Sequence, residues 1–457
     1  METISVRLRF LTYSRIKGIV LPSHLCRDWG FKNRQRVAFS HGQITVHGII
    51  IEDKKQKSGN LVKVTSPLKE ALSIPHTGMI HLKYEDGTIR VGPSIGIITT
   101  GIRDGGRAPI GPRSGFFQKL LSAQKGKGVY YFIFSPNDVD WSSNRVYGWF
   151  LRSSNKGQYV WKRFWTAMPD VLYDRVPSRA AERQESVKDF KSRVANENYV
   201  PMFNIGFFDK WGVHQRLYPM PEINEFIPET QVAPTLTMLK SMLDKYSMVY
   251  LKPKDGSLGY GILKIKQLTK GYQLSYHSGA GNVTRRFQKL PKLYQHVFQT
   301  RRASNYLIQQ GIDLCTYSDR PLDFRVHLHK NVENSWVVSC IAAKVAGVGS
   351  VTTHVRTGGR IIPGKELLET LFPEQHHTLE KRVREASIRL ANAIEFAYGT
   401  NLGELGLDIG IDKKGNIWMF EANSKPGRSI FKHARLKQAD EMSRSLLVDY
   451  SRYLANF

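Results

Sequence analysis

The sequence predicts a mixed α/β (α+β) chain with a small all-β domain, an α/β domain and a C-terminal domain of sheets and helices. Three observations predict it. Residues 1–92 alternate short apolar-polar runs with glycine turns, the pattern of half-buried strands. Ile95-Gly-Ile-Ile-Thr99 and Gly128-Val-Tyr-Tyr-Phe-Ile-Phe134 are continuous apolar runs on either side of a helical run, Phe116 to Gln124, as buried strands of an α/β unit are. Residues 375–399 place Leu379, Val383, Ala386, Leu390, Ala393 and Ile394 on one side of a helix, between strand-like segments. The expected boundaries are 1–92, 93–225 and 226–457.

The N-terminal unit carries a weak internal repeat. Ser23 to Lys32 followed by Val37 to Val46 parallels Ser66 to Ile74 followed by Ile80 to Val91. Each half reads as a short helix, a strand, a glycine turn and a strand, and two such halves can close a small barrel by pairing with each other. The unit is either an interaction module or a structural cap. Behind the first α/β strand comes a basic Gly/Pro loop, Arg103 to Arg113, at the end of the strand where α/β sheets place ligands. Arg103, Arg107 and Arg113 are therefore anion-binding candidates or solvated loop charges. Asp189 and Lys191 lie in a charged helix that reads as a surface face. Leu236 to Lys245 is a helix leading into a strand, Trp336 to Val355 a strand and its loop, and Ala439 to Leu454 an amphipathic tail helix.

Met248-Val-Tyr-Leu-Lys-Pro-Lys-Asp-Gly-Ser-Leu-Gly-Tyr-Gly-Ile-Leu-Lys-Ile265 is a strand, a glycine-rich loop and another strand. Lys252 and Lys254 are two apart, so in extended chain they point the same way. Gly256, Gly259 and Gly261 let backbone N–H groups close on an anion, and Ser257 adds a hydroxyl. No Gly-Lys-Ser/Thr follows and the loop leads into a strand, which excludes a P-loop and a dinucleotide fingerprint. Alone, the segment reads either as a phosphate cradle or as a hairpin turn with surface lysines.

Leu405 to Gly427 reads as a hairpin whose turn is Lys413-Lys414-Gly415-Asn416. Centring the turn between Lys414 and Gly415 sets Asp408 opposite Glu421, with Asn423 on the face of Glu421. Facing carboxylates on an apolar sheet repel, and a divalent cation relieves that. Three oxygen ligands without His or Cys suit Mg²⁺. The plainer reading is a half-exposed hairpin with polar residues facing water.

These segments in this order, with Leu307-Ile-Gln-Gln-Gly-Ile-Asp313 and Asp323-Phe-Arg-Val326 between them, resemble an ATP-grasp domain. Ser94-Ile-Gly-Ile-Ile-Thr99, Pro228-Glu-Thr230, Leu251 to Gly261 and Glu421-Ala-Asn-Ser-Lys-Pro-Gly427 resemble, more narrowly, the YheC/YheD-like ATP-grasp family of endospore coat-associated proteins of spore-forming Firmicutes. The resemblance runs from about residue 90 to the C-terminus. It implies an ATP-grasp fold at 226–457 with a nucleotide-lid subdomain at about 248–312, preceded by an α/β pre-ATP-grasp domain.

The resemblance also implies roles. Lys252, with Lys254, contacts ATP phosphates, and Gly256, Ser257, Gly259 and Gly261 close over them. Gln309, Gln310 and Ile312 form the hinge that reads adenine, with Asp313 near the ribose. Arg325 reaches the γ-phosphate, Lys344 is a further nucleotide-binding residue, and Asp408, Glu421 and Asn423 hold one or two Mg²⁺. Arg356, Arg360 and Arg428 are candidates to grip a carboxylate substrate, since the guanidinium fork matches two oxygens; His354 lies in the same region. Gln309-Gln310 stand where many such hinges carry an acid, and Lys344 where arginine is often found. The implied activity is ATP-dependent ligation of a carboxylate and an amine through an acyl phosphate; the alternative is a spore-coat structural protein that binds ATP without catalysis.

The remaining composition bounds the partners. Lys and Arg number 67 against 39 acidic residues, a net charge of +28 that attracts anions: nucleotides, acidic polypeptides, spore-envelope polymers or nucleic acid. No helix-turn-helix, Cys/His finger or RNP-type motif occurs, which makes nucleic acid the weaker partner. Three scattered cysteines, Cys26, Cys315 and Cys340, form no disulfide framework or zinc cluster and fit a reducing interior. The start, Met1-Glu-Thr-Ile-Ser-Val6, is unlike a signal peptide, and no run has the apolar length of a membrane helix. The expected location is the cytoplasm on the mother-cell side, in association with the spore coat.

Overall fold

In the computed structural model the strands between Thr3 and Gly92 close into a barrel. The structure describes residues 3–56, 59–154, 157–198, 200–254, 260–278, 281–347, 353 and 359–457. Around the barrel the order is Thr3–Leu11, Leu61–Thr65, Gly18–Pro22, Ile44–Asp53, Arg36–His41, Thr88–Gly92 and Gly78–Glu85, which returns to the first strand. Alternate residues point inward, so Val6, Leu8, Val37, Phe39, Val62, Val64, Ile80 and Leu82 are buried. Helices Ser23–Asp28 and Ser66–Leu72 occupy matching places in the two halves. The halves interleave: Gly18–Pro22 pairs with Leu61–Thr65, and Arg36–His41 with Thr88–Gly92.

The following sheet centres on Ser94–Ile98, wholly buried and parallel to both Tyr130–Phe134 and Val171–Asp174. Strands covered on both faces are continuous apolar runs for that reason. Arg113, from the basic loop, donates to Thr99 Oγ1 at 2.9 Å and to the Thr100 carbonyl, so it braces the strand end. Lys191 corrects the surface reading. It pairs with Glu182 and with the fully buried Asp174, whose carboxylate also accepts from the Val176 and Gly206 N–H groups at 3.0 and 3.2 Å.

The chain forms two compact units, residues 1–206 with 330–335 and 444–457, and residues 207–329 with 336–443. The second unit starts at Phe207, ahead of the boundary at 226 expected from sequence. Helix Lys210–Leu217 belongs there because Val213 and Leu217 are buried in that unit's core. Residues from Arg444 onward belong to the first unit, where Leu447, Val448 and Tyr450 are buried.

The second unit holds two sheets. The first runs Thr230–Val232, Tyr306–Gln310, Met248–Pro253, Leu263–Gln267, Tyr272–Ser278, Gly281–Phe287. One face is covered by helices Leu236–Tyr246 and Leu290–Phe298, which bury Leu239, Met242, Leu243, Leu293 and Val297 against Val249, Leu251, Ile265 and Ile308. The second sheet runs Arg360–Pro363, Trp336–Val345, Arg320–Lys330, Glu404–Ile411, Ile417–Asn423. Its back is covered by helix His376–Tyr398, whose Leu379, Val383, Ala386, Leu390 and Ile394 are buried. Each of the Leu, Val and Ile side chains contributes roughly 1.5–3 kcal/mol by leaving water, which fixes the sheet behind the site. Among the described residues no helix is long and apolar enough to cross a membrane.

Candidate functional site

In the final hairpin Asp408 pairs with Glu421 and Gly406 with Asn423, as the sequence reading expects, but by a different route. Nearer the turn Ile411 pairs with Ile417, Gly410 with Trp418 and Ile409 with Met419, one residue out of step with the Asp408–Glu421 pair. A bulge at Phe420 makes up the difference. It also turns Phe420 to the same side as Glu421, so both line a cleft while Met419 and Ala422 enter the core. Gly410 leaves room for this, since a β-carbon there would lie 2.5 Å from the Phe420 ring.

The adjacent strand brings Arg325 opposite Asp408. Arg325 Nε is 2.9 Å from Asp408 Oδ1, and Nη2 donates to Oδ2 at 3.2 Å. Lys344 Nζ lies 2.9 Å from Asp408 Oδ1 and 2.9 Å from Asp323 Oδ1, and the Thr353 hydroxyl donates to Asp323 Oδ2. Burial works against the Lys344 ammonium, but Asp323 and Asp408 outweigh it and hold it above the usual lysine range. Burial, with the nearby Asp408, raises the Asp323 carboxyl. The Asn423 amide spans Glu421 Oε1 at 3.2 Å and Arg325 Nη1 at 3.3 Å; with nitrogen toward the carboxylate and oxygen toward the guanidinium, both are hydrogen bonds.

The opposite wall comes from the first sheet. Lys252 Nζ donates to Gln309 Oε1 and lies 5.4 Å from the Phe420 ring centre. Gln309 Nε2 donates to Thr230 Oγ1 at 2.9 Å. Burial and the neighbouring Lys210 push Lys252 down to about 8, against the pull of Glu421, Asp408 and Asp323. Gln309 supplies a neutral partner where an acid would have held the ammonium charged. Lys210 itself stands 3.7 Å from Glu421 Oε2, at the start of a helix capped by Asp209, whose carboxylate accepts from the Gly212 N–H at 2.6 Å. At the hinge the Gln310 N–H goes to the Glu229 carbonyl at 2.8 Å and the Gly311 N–H to the Met248 carbonyl at 2.9 Å. The next amide, Ile312, has no acceptor among the described residues.

One cleft therefore gathers Lys210, Lys252, Lys344, Asp323, Asp408 and Glu421, with Tyr250, Ile262, Ile312 and Phe420 as its apolar surfaces. Of the residues expected from sequence, Lys252, Gln309, Gln310, Ile312, Lys344, Asp408 and Glu421 line it, and Arg325 and Asn423 stand directly behind Asp408 and Glu421. Gly256, Ser257 and Gly259 lie outside the described residues, as do His354 and Arg356. Gly261 is described, with a φ of 74° that suits its lack of a side chain. Lys254 follows the strand end and bonds Asn305 O through its backbone N–H at 2.9 Å. Two placements differ from the expectation. Asp313 is exposed and paired with Lys413 at 3.0 Å, outside the cleft wall. Arg428 is buried in an ion-pair network, 2.8 Å from Asp440 Oδ1 and 3.9 Å from Glu404 Oε2, and also donates to Ser443. Arg360 is exposed, over the Tyr317 ring at 5.1 Å.

Sequence reasoning missed Asp323, Lys210 and Thr353. Asp323 was readable, because it is two residues before Arg325 on one strand and so shares its face. Lys210 carries no such signal; a helix from ahead of the expected domain delivers it. As a metal site, Asp408, Glu421 and Asn423 present oxygen only, the donor set of a hard divalent cation. Among the described residues no three His, Cys, Asp or Glu side chains gather closely enough to hold a metal; a third protein oxygen beside Asp408 and Glu421 would have to come from the Asn423 amide, turned over from its present contacts.

A model of the YheC/D-like ATP-grasp family matches residues 199–454. Endospore coat-associated protein YheD of Bacillus subtilis (strain 168) is 32% identical over 395 residues, covering 86% of this chain and 86% of its own length. Endospore coat-associated protein YheC of the same organism is 25% identical over 322 residues, 69% of this chain and 85% of its own. Among solved structures, D-alanyl-alanine synthetase A from Vibrio cholerae O1 biovar eltor str. N16961 aligns over 80% of this chain and 99% of its own at 12% identity, with a TM-score of 0.43.

Proposed function

The chain belongs to the YheC/D-like ATP-grasp family, and from that premise we propose that it is an ATP- and magnesium-dependent ligase that activates a carboxylate as an acyl phosphate for attack by an amine. The observation that carries this reading is the single cleft lined by Lys252 from one sheet and Asp408 and Glu421 from the other. Tyr250, Ile262 and Phe420 offer apolar faces to an adenine ring, and the unused Ile312 N–H offers it a donor. Lys252 and Lys210 face the polyphosphate. Lys344, in the cleft wall, and Arg325, behind Asp408, supply the positive charge that would stabilise the transferring oxygens of the terminal phosphate. One or two Mg²⁺ held by Asp408, Glu421 and Asn423 neutralise phosphate charge when bound.

In the reaction a substrate carboxylate oxygen attacks the γ-phosphorus, the bond to the bridging oxygen breaks and ADP leaves. An amine then adds to the acyl carbon, gives up a proton and expels phosphate. No protein nucleophile is required. Burial raises the Cys315 thiol and pushes the Cys340 thiol up to about 12, which leaves both inert. Association with spore coat or envelope assembly, on the mother-cell side, completes the proposal.

The test incubates the protein with MgATP and panels of amino acids, peptides and spore-envelope acids, reading ADP release and the mass of each acceptor. A mass gain that disappears in Asp408→Asn with Glu421→Gln supports the assignment. Turnover that survives both changes overturns it. MgATP binding without turnover on any acceptor favours the non-catalytic scaffold, which the pairing of Asp408 with both Lys344 and Arg325 also suits.

A further inference from the structure

On the strand Leu263–Gln267, Leu263 and Ile265 turn into the core, so Lys264 and Lys266 share the other face. The register extends that face sideways. Tyr250 and Ser275 flank Lys264, Ser275 is followed by Thr284, and Met248 and Gln273 flank Lys266. Across from it stands a tight hairpin turn, Tyr317-Ser318-Asp319-Arg320. Ser318 and Asp319 have φ of 51° and 58°, the left-handed pair of a two-residue loop, and Thr316 pairs with Pro321. The turn sets Arg320 and Pro321 opposite the two lysines around a pocket of about 380 Å³. Tyr250 and Pro321 also line the nucleotide cleft, so the two cavities share a wall.

Among the described residues Lys264, Lys266 and Arg320 are paired with no acidic side chain. Asp319 is the acid in the lining, and Asp313, whose charge reaches Lys264, is committed to Lys413 at 3.0 Å. Three cations around one concavity repel one another, and a ligand with several negative charges relieves them. Burial and the neighbouring Lys266 together hold Lys264 below the usual lysine range, against Asp313. Lys264 and Lys266 alternate on one strand, so they stand roughly 7 Å apart along it, the interval at which alternate side chains of an extended peptide project. Gln273, Ser275 and Thr284 add amide and hydroxyl partners. The Tyr250 ring lies 6.0 Å from both Lys252 Nζ and Lys264 Nζ.

We propose that this pocket binds an extended acidic peptide segment and so defines the substrate class of the ligase. The proposal rests on the reading of the adjoining cleft as the place where a carboxylate is activated.

The experiment measures fluorescence anisotropy of a labelled hexaglutamate peptide on the full chain, with labelled hexaglutamine and a hexauridylate competitor alongside. Hexaglutamate is expected to bind and hexaglutamine not. Lys264→Gln with Lys266→Gln and Arg320→Gln should weaken hexaglutamate by about tenfold or more. Removing the same charge from exposed positions elsewhere, Lys365→Gln with Lys381→Gln and Arg382→Gln, should change it by less than about twofold. MgATP affinity, read with a fluorescent nucleotide, and melting temperature are expected to stay level in the pocket variant. Equal losses in both triple variants, tighter binding of hexauridylate, or a matching loss of MgATP affinity in the pocket variant would each overturn the proposal. If the wild type binds no MgATP but the peptide result stands, the ligase reading fails and the peptide site survives.

Discussion

Arg325 and Asp408 face each other on adjacent strands and are joined twice, Nε to Oδ1 at 2.9 Å and Nη2 to Oδ2 at 3.2 Å. Their side chains are only 16% and 13% exposed, so neither charge is well hydrated and each depends on the other. Lys344 takes the remaining share of Asp408. The residue proposed to hold magnesium is thus also the counter-ion of two buried cations, whereas Glu421, its partner across the hairpin, is 34% exposed and meets Lys210 only at 3.7 Å.

That difference separates two substitutions of similar chemistry. Asp408→Asn is expected to lower ADP release by about 10²–10³-fold, and to destabilise the fold by about 3–5 kcal/mol by removing the carboxylate that pairs with Arg325, while Lys344 keeps Asp323. Glu421→Gln should lower ADP release to a similar degree and shift stability by less than about 1 kcal/mol. Urea denaturation beside the ADP assay tests both. Equal stability losses would show that Asp408 is not the counter-ion its geometry makes it.

Lys252 gives a pH prediction. Its value in the folded chain, about 8, lies below the ordinary 10.5. Between those values the unfolded chain binds the proton and the folded chain does not, so this residue's contribution to stability rises with pH across that window and its penalty is complete below it. Bound phosphate favours the ammonium. MgATP binding should therefore take up a proton at pH near and above 8, and weaken as pH rises through that point. Calorimetric titration in buffers of different ionisation enthalpy counts the proton, and Lys252→Met should abolish it. Uptake that persists in the variant belongs to another group.

Local patterns were the legible part of this chain. Period-two burial predicts the barrel strands, but their interleaved order depends on pairings such as Ala38 with Thr88 that no local pattern carries. The hairpin reading reaches the correct Asp408–Glu421 pair because two errors offset: the turn is half a residue from the assumed centre, and the bulge at Phe420 restores the step. Glycine at 410, which admits the Phe420 ring, was the available sign. Arg428 and Lys191 look free in sequence because their partners, Asp440 with Glu404 and Asp174 with Glu182, come from other elements. Lys210 was invisible for the same reason, since only tertiary packing of its helix brings it to Glu421.

Arg428 tests the difference between a gripping residue and a structural one. Its side chain is 10% exposed and pairs with Asp440 at 2.8 Å. Arg428→Met is expected to cost about 3–5 kcal/mol of stability by removing the cation paired with the buried Asp440 carboxylate. Below its melting point the variant should keep its KM for the carboxylate within about twofold. A large rise in that KM, with stability unchanged, would return Arg428 to the substrate.

Gly406 pairs with Asn423, and a β-carbon there would lie 2.6 Å from Pro426 Cβ and 2.8 Å from Arg325 Nη1. The missing side chain lets the guanidinium lie across the strand to reach Asp408 and lets Pro426 fold back over it. Gly406→Ala forces one of them to move. Arg325 is the flexible one, so the arginine end of the cleft should yield first. The expected result is a loss of about 1–3 kcal/mol in stability, with kcat down about tenfold and KM for ATP little changed. Gly410→Ala provides the contrast, because its β-carbon would meet the Phe420 ring at 2.5 Å and Leu314 Cδ2 at 2.6 Å. It disturbs the apolar wall proposed for adenine, and KM for ATP should rise while kcat holds. If both variants move the same constant, the phosphate end at Arg325 and the adenine end at Phe420 are not the separate parts their positions suggest.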